Sequence, residues 1–160
     1  PPNVDAMLWF AGEVLPLLRQ SQAGIRTTVI GSDVPDSVRH FAAEDFVVAG
    51  FVPDVEPLYN AARIAIAPLR YGAGVKGKVN LAMQFGVPVV ATSCSIEGMN
   101  LADGRDVLKA DSPREFADAV LRLYGDEALW MKLRQGGIDN IAQWFSRANA
   151  RRALKNVLDL

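Results

Sequence analysis

Cysteine and histidine are almost missing from this 160-residue chain, with one of each, and aromatic side chains make up only 8% of it. A lone Cys94 cannot close an intramolecular disulfide, which suits a reducing, cytoplasmic compartment. His40 stands alone at the end of a short amphipathic stretch and reads as a structural side chain. With no C-x-x-C, no D-x-D and no histidine cluster, no protein-held metal is expected, and no cofactor. No apolar run reaches 18 residues and no signal-like start is present. Neither sign of charge dominates: 17 basic against 18 acidic residues leave a net charge of −1. Bulk attraction to nucleic acid is thereby excluded, and any anion binding must be local. Internal repeats and low-complexity stretches are also absent.

What remains is an ordinary globular composition, 50% hydrophobic and 22% charged, long enough for one domain over residues 1–160. Val4, Leu8, Ala11, Val14 and Leu15 recur at helical spacing and predict a helix over 4–20. Strands are expected at 25–30, 46–49, 63–67, 87–91 and 106–109. Between them lie a short helix through Phe41 capped by Asp36 or Asp33, a second over 55–61 capped by Asp54, and a third over 75–85. Ser112 with Pro113 opens a helix through Leu123, and Asp126 caps another reaching Trp144, with Gly136-Gly137 interrupting it. A basic helical tail is expected over 147–158. Trp9, Trp130 and Trp144 read as packing residues. Strands alternating with helices predict an α/β fold, a doubly wound parallel sheet whose ligands bind at the carboxyl ends of the strands.

The stretch from Pro68 to Met99, PLRYGAGVKGKVNLAMQFGVPVVATSCSIEGM, is the centre of the functional reading. Gly72, Gly74 and Gly77 let the backbone approach a ligand closely. Arg70, Lys76 and Lys78 supply positive charge, and a helix starting near Val75 aims its free N–H groups at the same place. Together they describe a cradle for phosphate. Two general patterns fit only partly. Gly72-Ala73-Gly74-Val75-Lys76-Gly77 matches G-x-G-x-x-G but does not directly follow the first strand. The stretch from Gly72 to Gly77-Lys78 also approaches a triphosphate-binding loop, yet Val79 stands where Ser or Thr should bind Mg²⁺.

A third pattern covers more residues. PLRYGAGVKGKVNLAMQFGVPVVAT, followed by Glu97-Gly98-Met99, resembles the donor-site region of family 4 glycosyltransferases, which have the two-domain GT-B fold. The likeness extends upstream through Ala49-Gly50-Phe51-Val52-Pro53-Asp54-Val55 to Pro2-Asn3-Val4-Asp5, and downstream to Ala110-Asp111. Lys78 matches the motif lysine. The family's Glu in E-A-M-A is set on Asn80 and its partner eight residues earlier on Gly72, so both acids of E-x7-E are absent.

The resemblance implies a Rossmann-like half of a GT-B fold that binds a nucleotide diphosphate sugar for retaining, metal-independent transfer. Arg70 and Lys78 are the expected catalytic residues. The donor and its phosphates are expected to meet Gly72, Gly74, Val75, Lys76, Gly77, Asn80, Gly31, Phe51, Val52, Ser95, Glu97, Gly98 and Met99. The resemblance also implies a strand before the first helix and an N-terminal acceptor domain outside these residues, through which any peripheral membrane attachment would run. The isolated piece is then expected to be inactive and open to self-association through unpaired sheet edges. Two other classes stay open: a non-catalytic nucleotide-sugar-binding module, favoured by the missing acids, and a NAD-type Rossmann oxidoreductase, favoured only by G-x-G-x-x-G.

Overall fold

The computed structural model describes residues 1–21, 24–146, 149–151 and 155. The chain opens on one helical rod in three parts: α1 (Pro2–Trp9), a π-helical turn (Phe10–Val14) and α2 (Leu15–Ser21). The π turn was not foreseen, and Pro16 explains it. A proline ring clashes with the carbonyl four residues back and offers it no N–H. The turn loosens there, and the Leu15 N–H reaches back five residues to the Phe10 carbonyl.

Five parallel strands follow: β1 (Thr27–Ile30), β2 (Phe46–Gly50), β3 (Ala65–Ala67), β4 (Val89–Ala91) and β5 (Leu108–Lys109). They alternate with α3 (Asp36–Arg39), α4 (Glu56–Ala61), α5 (Gly77–Gln84) and α6 (Ser93–Ile96), and α7 (Pro113–Gly125) and α8 (Glu127–Trp144) complete the fold. The α/β doubly wound reading therefore holds. The sheet is divided, however: β1 pairs with β2, while β3, β4 and β5 form a separate three-stranded piece in that order.

Alternation along β4 shows why both faces are covered. Val90 packs with Trp9, Phe10, Val14, Leu18, Phe116, Val120 and Leu123. Its neighbours Val89 and Ala91 turn to the other face, with Val79, Met83, Met99 and Val107. The Trp9 and Phe10 rings meet Phe116 edge-on, at centroid distances of 5.6 and 6.1 Å, so the opening rod is bolted to α7.

The expected caps divide. Ser112 and Glu115 form the complete capping box of α7, and Asp126 accepts from the Leu129 N–H to cap α8. Neither Asp33 nor Asp36 caps α3, which starts after Pro35. Asp54 accepts from the Glu56 N–H, but α4 begins one residue later than expected. Gly136-Gly137 does not interrupt α8. A Cβ at Gly136 would lie 2.3 Å from the Arg105 carbonyl oxygen, and one at Gly137 would lie 3.0 Å from Met83, so these glycines admit close neighbours instead. Trp9 is core and Trp130 donates to the Arg63 carbonyl, whereas Trp144 is 43% exposed. The expected basic tail lies largely outside the described residues. Among the described residues no helix is long and apolar enough to cross a membrane.

Candidate functional site at the carboxyl ends of the strands

β3 ends at Ala67, and the chain crosses a loop to Lys76 before α5 begins. Two buried hydroxyls clasp the start of this loop. Ser95 Oγ donates to the Ala67 carbonyl at 2.5 Å and accepts from the Leu69 N–H at 3.1 Å. Thr92 Oγ1 bonds the Leu69 carbonyl, and Thr92 and Ser95 lie 2.9 Å from each other. Thr92 also N-caps α6, a helix read from the sequence as loop. A Thr-x-x-Ser pattern directly after an apolar strand was the available signal, since such residues favour helix starts.

Beyond the clasp, each cation of the expected cradle has a partner within the chain. Arg70 meets Asp5 edge to edge, with Nε donating at 2.9 Å and Nη2 to the second oxygen. That paired hydrogen bond, and the charge of Arg70, hold the Asp5 carboxyl below its ordinary pKa. Lys78 Nζ donates to Asn3 Oδ1 at 2.6 Å. Although Lys78 is exposed as a residue, desolvation around its ammonium, followed by repulsion from Lys76, pushes its pKa down from the ordinary lysine value. Lys76 is buried, at 8% exposure, and donates to the carbonyls of Gly72 and Gly74. Asn3 and Asp5, unnoticed as site residues, thus bring the first turn of α1 against the loop. Their signal was the family likeness, which already extended to Pro2-Asn3-Val4-Asp5.

The other expected residues sort by access. Gly72, Gly74, Val75 and Gly77 are exposed, as are Glu97 and Gly98 on the neighbouring loop. Gly31 and Phe51 are exposed at the ends of β1 and β2, and Val52 is half-buried; the Gly31 N–H joins the two strand ends by donating to Gly50. Phe51 is 72% exposed, a free aromatic face.

Three assignments need correction. Ser95 is fully buried and spends its hydroxyl on the loop backbone, so it positions the loop and does not face a ligand. Met99 is fully buried in the core, because an apolar side chain at that turn packs inward against α5 and β4. Asn80 has its amide oxygen sealed from solvent without a partner. Its register also needs amending: with Ala82-Met83 on the A-M of E-A-M-A, the acid falls on Leu81 and its partner on Ala73. Both acids remain absent, but Asn80 does not replace one.

A parallel α/β fold with a cationic, glycine-bearing loop at the carboxyl end of β3 is of the doubly wound class, in which that end of the sheet is where ligands bind. The profile of the family described as "Glycosyl transferases group 1" matches residues 1–126, and the chain belongs to that family. A curated relative, the "Uncharacterized 44.6 kDa protein in cps region" of Klebsiella pneumoniae, is 25% identical over 130 residues, covering 76% of this chain. The match takes up only 34% of that relative, so this chain spans about a third of its length. Among solved structures, the C-terminal domain of the group 1 glycosyl transferase LpcC from Francisella tularensis superposes with a TM-score of 0.70 at 18% identity, over 88% of this chain and 79% of that one. Anabaena HepE, solved with UDP-glucose, gives 0.79 at 15% identity, over 92% of this chain and 44% of HepE. At these identities the likeness speaks for the GT-B type of domain.

Proposed function

We propose that this chain is the donor-binding domain of a glycosyltransferase that takes a nucleotide diphosphate sugar. The observation that carries the reading is the loop from Pro68 to Lys76. It is held by buried hydroxyls at its base, exposed at its tip, and set between Arg70 and Lys78 at the start of α5. Sugar transfer requires stabilisation of a departing diphosphate. Cations and free N–H groups held in place where that charge develops supply it electrostatically. The complex of HepE with UDP-glucose supports a nucleotide sugar as the ligand class. In this reading Arg70 and Lys78 act on the leaving diphosphate, the transfer is retaining and independent of divalent metal, and the acceptor is held by a partner domain. The setting is cytoplasmic.

The loss of both motif acids, at Leu81 and Ala73, favours a second reading, a nucleotide-sugar-binding module without transferase activity. Calorimetry with UDP-, GDP- and ADP-sugars, with NAD as the counter-ligand, tests the shared part of the two readings. One nucleotide sugar is expected to bind and NAD not. Binding of NAD alone would replace both readings with the oxidoreductase one. A sugar-transfer assay on a chain that includes the partner domain separates the first two.

A further inference from the structure

The sequence presents three cations around one loop, but the structure gives them different situations. Arg70 and Lys78 are exposed, while Lys76 is buried. A buried ammonium is costly unless its protons are satisfied. Lys76 meets that cost with the loop itself: Nζ lies 2.5 Å from the Gly74 carbonyl oxygen and 3.3 Å from that of Gly72. The Gly72 carbonyl also accepts from the Cys94 thiol, with sulfur at 3.5 Å. Two alternate carbonyls of the loop are therefore drawn inward to one charge.

Peptide planarity then dictates where the adjoining N–H groups point. No cis peptide bond occurs among the described residues, and in a trans peptide the N–H is antiparallel to the C=O of the same plane. The carbonyl of Gly72 shares its plane with the N–H of Ala73, and that of Gly74 with the N–H of Val75. Both N–H groups consequently face away from Lys76, on residues that are exposed. Neither donates to an acceptor among the described residues. Gly72 and Gly74 have φ of +134° and +78°, a conformation that allows alternate carbonyls to turn to one side and that a side chain would oppose.

We propose that Lys76 is a positioning residue, not a phosphate ligand, and that the backbone N–H groups of Ala73 and Val75 are the anion donors it orients. This rests on the diphosphate reading above and deepens it. Alternating outward N–H groups form a concavity suited to oxyanions, here matched to neighbouring phosphoryl oxygens of a diphosphate. Lys76 contributes without touching the ligand, by holding the two carbonyls out of the way.

Amide NMR of the chain tests this with UDP, GDP, ADP, inorganic pyrophosphate and free uridine as probes. The amide protons of Ala73 and Val75 are expected to move downfield on addition of a diphosphate and to stay in place with uridine. Lys76→Met, checked for folding by its melting curve, is expected to lose those shifts and to bind the diphosphate about tenfold more weakly, as loss of a modest hydrogen-bonding contribution implies. Uridine affinity should not change. Diphosphate binding with the two amides unmoved, or with Lys76→Met behaving as the parent, overturns the positioning role and leaves the proposed function standing. Failure of every diphosphate to bind overturns both.

Discussion

Arg70 and Lys78 carry the exposed positive charge of the site, yet both are engaged by the first turn of α1. A diphosphate must share or displace Asp5 and Asn3. Charge-assisted bonds to phosphate are roughly twice as strong as neutral ones, so Arg70→Ala is expected to weaken UDP by about tenfold or more while leaving uridine nearly unchanged. Calorimetry with the two ligands checks this, and equal losses for both would remove Arg70 from the phosphate site. Lys78 supplies a pH signature. Its pKa lies below the ordinary 10.5, with desolvation the larger cause. An anion favours the charged form, so diphosphate affinity should fall as pH rises through that depressed value, beginning below 10.5. Lys78→Arg, whose guanidinium keeps its proton, should flatten the profile. The linked effect on stability has the opposite sense. The unfolded chain binds the proton more tightly in this window, so Lys78's contribution to stability rises with pH there.

At the scale of elements, the loop depends on groups that never meet a ligand. Ser95→Ala leaves the Ala67 carbonyl and the Leu69 N–H without their hydroxyl partner in a buried place, a loss of about 1–3 kcal/mol. Urea unfolding reads it, and an unchanged midpoint would show that the clasp is dispensable. The paired glycines of α8 offer a sharper contrast. Alanine in place of glycine gains about 1 kcal/mol of helix propensity. At Gly137 the new methyl meets Met83 Cγ at 3.0 Å, a contact relieved by a shift of a few tenths of an ångström, so Gly137→Ala should cost far less than the change at Gly136. At Gly136 it meets the Arg105 backbone oxygen at 2.3 Å, which cannot step aside, so Gly136→Ala should be net destabilising by about 1–3 kcal/mol. Equal melting temperatures for the two variants would refute the packing argument.

The whole molecule is unevenly built. β4 is fully buried between two helical layers, whereas β1 and β2 form a two-stranded piece of their own with exposed positions such as Thr28. Opening free energy follows buried contacts. Amides of Val90 and Ala91 are therefore expected to exchange with solvent far more slowly than those of Thr27 to Ile30. Uniform protection across both sheet pieces would show a single cooperative unit instead.

Much of this architecture was legible in the chain itself. Strand–helix alternation, the Ser112 N-cap with Pro113 and the basic glycine loop are local signals. Each depends on residues a few positions apart, and together they led to the right class of fold. The resemblance carried by Pro68 to Met99 pointed to the family that the profile match shows. Long-range contacts decided the rest. Asn3 and Asp5 lie 75 and 65 residues before their partners Lys78 and Arg70, a separation that no local pattern spans. By charge and spacing, Arg70, Lys76 and Lys78 all read as facing one phosphate cradle. Only burial separates Lys76, turned in on its own carbonyls, from the two exposed cations beside it, because the free energy of an ammonium depends on what replaces its water.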